Sequence, residues 1–302
     1  MINFKKLKLE IFYLQAAFRQ YRQGPDYLRH RYFFARKILN LRKIFQNPIN
    51  YNNLSIHFLL CHRDLIPFIW SLASFYLASD FFGHLIIHND GSLTKKDKNL
   101  IKKFFLQTQI IEEMGKLDNL PSNYRLLIDQ IRNFYPKIPL LKKLLEPYLF
   151  NQTPIHLIID SDLLWFKNPT ELEKEIKDGS QKSLMMCGEG GGCPVIFKDG
   201  TKLEKPLSFF NSGIVLYHRN NFNLEKLAEY CQKVDWQNSA NIHFLEQAAF
   251  AFSLNNLTPL PSDQYLIKGG VDSQTIVRHY TSPRRPLFYS EGLKILKDKI
   301  FE

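Results

Sequence analysis

An α/β sandwich around a mostly parallel sheet, carrying an N-terminal helical extension, is the fold this sequence predicts. Three observations carry it. Short, continuously apolar runs alternate with segments of helical period, the pattern of strands buried on both faces by helices. A composition that is 45% hydrophobic, with 25 Phe in 302 residues, supplies a large core and excludes global disorder. The charge is uneven: residues 1–45 hold eleven bases and two acids, a net +9 of the total +11, so the remaining body is close to neutral. The expected organisation is a basic helical extension over 1–50 and one large domain over 51–302.

Residues 5–45 read as helix broken near Gly24-Pro25, with Leu7, Ile11, Leu14 and Phe18 on one face. Asn47-Pro48-Ile49-Asn50 is a turn-rich linker. Ile56–Cys61 is the first strand of the body, and Pro67–Ser79 a helix with Pro in its first turn. Leu85–His88 is the second strand. The helix Lys95–Phe105 follows, with Ser92 or Thr94 as its cap. A third strand is expected over 108–112, and mainly helix over 124–150 with interruptions at Pro136 and Pro139. Ile155–Ile159 and Gly213–Tyr217 are strands; Leu224–Lys233 and Phe244–Ser253 are helices.

No apolar run reaches the length of about 18 residues that a membrane span needs. The first residues are not followed by the apolar stretch and cleavage site of a secretory signal. Four cysteines do not make a disulfide framework and suit a reducing, cytoplasmic setting. Cys187 and Cys193 flank a run of glycines and read as free thiols, since zinc clips use tighter pairs. The near-neutral body argues against a nucleic-acid binder. Serine and cysteine hydrolase signatures such as Gly-X-Ser-X-Gly are absent.

The chemistry concentrates at Ile159-Asp160-Ser161-Asp162-Leu163-Leu164-Trp165. A buried strand ends in two carboxylates one residue apart, and alternate residues of extended chain share a face. Two such carboxylates offer hard oxygen ligands to Mg²⁺ or Mn²⁺. The carboxyl edge of an open α/β sheet is also where ligands bind. A capped turn is the alternative reading, but a plain surface turn need not sit between two apolar runs.

This segment resembles the Asp-X-Asp motif of GT-A glycosyltransferases, the nucleotide-sugar-dependent class, with a pattern closest to the glycogenin and lipopolysaccharide galactosyltransferase-like group. Further matches follow in the family's order: His88-Asn89-Asp90-Gly91-Ser92, Phe210-Asn211-Ser212-Gly213, Glu246-Gln247, and Arg278-His279-Tyr280-Thr281 with Arg284-Arg285-Pro286. They span about 56–288. The resemblance implies a GT-A, Rossmann-like three-layer fold and a metal-dependent transferase, of hexosyl groups in particular. It would move a sugar from a nucleotide-sugar, UDP-linked by preference, to a glycan, lipid-linked or other hydroxyl acceptor. It further implies that Asp162 and His279 ligate the metal, and that Asp160 ligates it or contacts the ribose or sugar. Asp90 would bind base or ribose. Asn211, Gly213 and Gln247 would line the donor pocket, and Arg284 or Arg285 would meet the diphosphate. Glu246, with Asp162, would be catalytic; the family commonly has Asp where Glu246 stands.

Two segments stay open at this level. Lys142 and Lys143 either reach the donor phosphates or lie on a solvated helix face. The Gly-rich stretch within 187–206 is either a lid or a plain surface loop. A protein of the same fold that binds nucleotide-sugar without turnover is the alternative function. The basic extension over 1–45 either packs on protein or meets an anionic membrane surface, which would make the enzyme cytoplasmic and peripheral at the inner membrane face.

Overall fold

The computed structural model describes residues 4–42, 45, 48–112, 124, 127, 131, 134, 138–179, 181–188, 195–204, 207–238, 241 and 244–302, without the side chains of residues 4–6. Most of residues 124–137, the first half of the expected 124–150 helical segment, and the glycines 190–192 lie outside these residues. So does Cys193, whereas Cys61, Cys187 and Cys231 are free thiols.

Helix α1 (Phe4–Gln15) runs on through a π-helical turn, Ala16–Gln20. The break falls where expected. Arg22 takes a left-handed φ of 54°, and Pro25 sits in the first turn of α2 (Gly24–Leu28), where its missing N–H costs nothing. The chain then stays helical to Asn40. This extension packs on the body: Tyr13, Ala17, Tyr27, Ala35 and Ile38 are buried in one apolar core with the sheet strands. Arg31 is held there by Glu10 at 2.6 Å and lies over the rings of Tyr13, Tyr27, Tyr32 and Tyr289.

Among the described residues the body has ten strands: β1 (Leu54–Leu60), β2 (His84–Asn89), β3 (Gln109–Ile111), β4 (Ile155–Ile159), β5 (Leu163–Trp165), β6 (Ser183–Cys187), β7 (Phe210–His218), β8 (Leu257–Pro259), β9 (Tyr265–Leu266) and β10 (Val277–His279). Seven form one sheet in the order β3-β2-β1-β4-β7-β6-β8. Pairing is parallel except along both sides of β7, which runs against β4 and β6. Helices α3 (Leu65–Ala78), α4 (Lys95–Phe104), α5 (Leu140–Phe150), α6 (Thr170–Asp178), α7 (Leu224–Lys233), α8 (Leu245–Ser253) and α9 (Leu293–Phe301) accompany it. The alternation of side chains along β4 splits the core in two. Ile155, Leu157 and Ile159 face the cluster that includes α3, α9 and the extension. Ile158 joins Val215 and Tyr217 in the cluster with α5, α7 and α8. The result is the three-layer α/β sandwich expected from the sequence.

Strand lengths differ from expectation both ways: β2 gains a residue at each end, and β3 is three residues rather than five. β7 is nine residues rather than five, because pairing on both sides extends it. A second sheet, β5-β10-β9, was not foreseen, nor were α6 and α9. Its strands are too short, at two or three residues, to show a period. The central strands also carry a buried polar seam. His88 Nδ1 meets Glu146 at 2.6 Å, His88 Nε2 meets His57 at 3.0 Å, and His57 meets His156 at 3.1 Å. Among the described residues, no helix is long and apolar enough to cross a membrane.

Candidate functional site

Two registers build the site. β4 and β7 pair Ile159 with Ile214, so the residues just beyond, Asp160 and Gly213, lie side by side, and Asp160 N–H donates to Gly213 O at 2.9 Å. β10 and β5 pair His279 with Leu163, and Tyr280 N–H donates to Asp162 O at 2.9 Å. The small second sheet therefore carries His279 back to the carboxyl edge of the large one. Ligand atoms of Asp160, Asp162 and His279 all lie within 4.8 Å of one another.

The hydrogen bonds decide what this cluster wants. Gly213 N–H donates to Asn211 Oδ1 at 2.9 Å, which fixes that oxygen as the acceptor facing His279. His279 Nδ1 lies 3.0 Å from the same oxygen and must be the donor. A neutral His279 then presents the Nε2 lone pair to Asp162 Oδ1 at 3.0 Å and Asp160 Oδ2 at 3.6 Å. Lone pair against carboxylate is satisfied only by a positive charge between them, a proton or a metal ion. Two carboxylate oxygens and an oriented imidazole fit a divalent cation of the Mn²⁺ or Mg²⁺ kind, and Asn211 is the supporting partner such a histidine needs. Gly213 makes room: a Cβ there would fall 2.3 Å from His279 Nδ1.

Two cations already brace the carboxylates. Lys143, 1% exposed, reaches Asp160 at 2.7 Å and Glu246 at 3.0 Å, and donates to Ser212 O at 2.7 Å. Burial works against its charge, yet Asp160 and Glu246 outweigh burial and raise its pKa. Glu246, in the first turn of α8, accepts from Ser212 Oγ at 2.7 Å. Burial raises its pKa, with Lys143 opposing. On the other side Arg285 donates to Asp162 Oδ2 at 2.8 Å and also bonds Asp64. Burial alone would raise both carboxyls; Arg285, with His279 at Asp162 and Arg63 at Asp64, holds them below the usual range.

The other expected site residues are placed as follows. Asn211 Nδ2 donates to Gln247 Oε1 at 3.2 Å, so Gln247 closes the wall behind Asn211. Asp90 ends β2 at the same sheet edge, and its Oδ1 accepts from Ser92 N and Oγ at 2.8 and 2.6 Å. Arg284 turns to Thr281 Oγ1 at 3.2 Å, while Arg285 points into the cluster. Lys142 donates to Asn89 O at 2.7 Å. Lys143 corrects the solvated-face reading: it is the buried centre of the carboxylate pair. Asp64 was not singled out from the sequence. Its signal was its position, four residues past the end of β1 at the ligand-binding edge.

No protein-family model and no curated protein matches the sequence. Solved structures do match. The WbbM bifunctional glycosyltransferase, in its apo form, superposes with a TM-score of 0.55 at 12% identity, over 85% of this chain and 52% of that one. This chain thus spans about half the length of that protein. The galactosyltransferase LgtC, in complex with donor and acceptor sugar analogs, gives 0.51 at 12% identity, over 82% of this chain and 95% of that one. Likeness at this level speaks for architecture. The chain has the GT-A fold, that of the glycosyltransferases its motifs resemble.

Proposed function

We propose that the chain is a metal-dependent glycosyltransferase moving a sugar, of hexose type, from a nucleotide-sugar donor to a hydroxyl acceptor. A UDP-sugar is the favoured donor, and a glycan or lipid-linked molecule the acceptor. The observation that supports this best is the Asp160, Asp162 and His279 cluster, in which Asn211 orients the imidazole with Nε2 toward both carboxylates, an arrangement suited to a divalent cation at the carboxyl edge of the sheet. When bound, Mn²⁺ or Mg²⁺ would act there as a Lewis acid toward a diphosphate leaving group.

The chain's own residues prepare the site. Asp162 and His279 are the ligands held most firmly, Asp162 by Arg285 and His279 by Asn211. Asp160, the more exposed carboxylate at 28%, either completes the ligand set or meets the ribose or sugar. Lys143 keeps Asp160 and Glu246 together without mutual repulsion, and Glu246 would act on the reacting sugar or acceptor. Asp90 and Gln247 stand at the margins for nucleotide and sugar. Arg285 supplies guanidinium charge beside the position of the diphosphate. A cytoplasmic enzyme working on lipid-linked acceptors would meet the inner membrane face through residues 1–45.

Asp162→Asn tests the reading. It keeps the shape and removes the ligand charge. Donor hydrolysis and transfer should fall by about 100-fold or more, beyond the usual loss from a supporting partner. Turnover that survives unchanged, or that resists chelator, would contradict the assignment.

A further inference from the structure

We infer that the N-terminal extension forms a docking face for an anionic lipid bilayer, which would deliver an interfacial acceptor to the site. Exposed apolar bulk on this molecule is concentrated there. Of the ten large apolar side chains exposed among the described residues, six fall between Leu7 and Phe33, with Phe33 the most exposed at 74%. Leu7, Ile11 and Phe18 recur at spacings of four and seven, one face of α1 and its continuation, while Tyr13, Ala16 and Ala17 bury the opposite face in the body. Ile295 and Phe301 on α9 add to the exposed set, and the Phe301 ring lies 5.4 Å from that of Phe34 in the extension.

The charge says what covers this face. Lys8, Arg19, Arg22, Arg29, Arg36 and Lys37 are all exposed. The only acids within residues 1–45, Glu10 and Asp26, are already paired with Arg31 and Lys294. Exposed aliphatic and aromatic groups flanked by unopposed cations match the acyl boundary and anionic headgroups of a bilayer. A second copy of the chain would bring two such cationic surfaces together, and repulsion disfavours it. The placement bears on function. α1 and its π-helical turn pack against the turn Arg285–Leu287, which holds the guanidinium of the candidate site. A bilayer under the extension would therefore lie next to that end of the site. Docking stands on its own; the delivery of an acceptor rests on the transfer reading.

Co-sedimentation of the full chain with vesicles tests it, and needs no sugar donor. Binding should be strong to vesicles containing phosphatidylglycerol, weak to phosphatidylcholine alone, and weakened by salt. Arg36→Gln and Lys37→Gln should each weaken it by roughly fivefold, the share of one base near an anionic surface. Ile11→Ser with Phe33→Ser should weaken it by roughly tenfold or more, with the thermal midpoint unchanged. Three results would overturn the inference: wild-type protein that binds both vesicles equally regardless of salt, no binding to either, or a dimer that the Ile11 and Phe33 changes dissociate. If the variants unfold, the lipid and salt dependence of the wild type decides alone.

Discussion

His279 and Gly213 show how tightly one side chain depends on the absence of another. The imidazole lies where the Cβ of any other residue at 213 would stand. Gly213→Ala should therefore cost roughly 1–3 kcal/mol in denaturant unfolding, the usual penalty of overpacking, and weaken metal binding by turning the ring away from Asp162. Full stability and affinity in that variant would mean His279 is not held as described. Asp64, Arg285 and Asp162 make a second residue-scale case. Both carboxyls are depressed in the folded chain, against burial, by neighbouring positive charge. A depressed folded pKa contributes stability above the unfolded value of about 4 and loses it as pH falls below that value. Wild-type protein should lose thermal stability on that acid limb, and Arg285→Met should flatten it; an equally steep limb would remove this trio from the account. The same trio shows why some of the site was illegible. Arg285 and Asp64 are 221 residues apart, and no local pattern announces their meeting. Lys143 looked like half of an exposed Lys-Lys pair until the fold buried it against two acids. Asp160 and Asp162 were legible because their neighbours on both sides are apolar.

At the scale of elements, the central strands were the most legible. β1, β2 and β4 are apolar runs bounded by polar turns, and each falls within two residues of its expected limits. α4 has its cap at Thr94, one of the two positions the sequence offered. Thr94 Oγ1 accepts from Asp97 N at 3.2 Å, and Asp97 Oδ2 accepts from Thr94 N at 2.8 Å. Thr94→Ala should cost about 1 kcal/mol in equilibrium unfolding and leave turnover untouched; no loss would mean the box contributes nothing. β5, β9 and β10 escaped because strands of two or three residues carry no period, and their pairing is decided by tertiary packing. Yet this small sheet delivers His279. The motif at 278–281 was readable only as a resemblance, and its geometry came from the fold.

Over the whole molecule, charge and chemistry occupy different parts of one architecture. Within the basic first 45 residues, net +9, the described helices bury one face in the core and expose the other. The near-neutral body brings four aspartates to one sheet edge, where strands β1, β2 and β4 end in parallel. Asp160 and Asp162 follow β4, Asp90 follows β2 and Asp64 follows β1, and β10 brings in His279. Such convergence has a direct consequence: the site should take up a divalent cation before any substrate is present. Calorimetric titration of the chelator-treated protein with Mn²⁺ measures this. One saturable site is expected, lost in Asp162→Asn and in His279→Ala, with a donor nucleotide-sugar tightening the binding. Equal Mn²⁺ uptake by the wild type and both variants, or none by the wild type with or without donor, would contradict it.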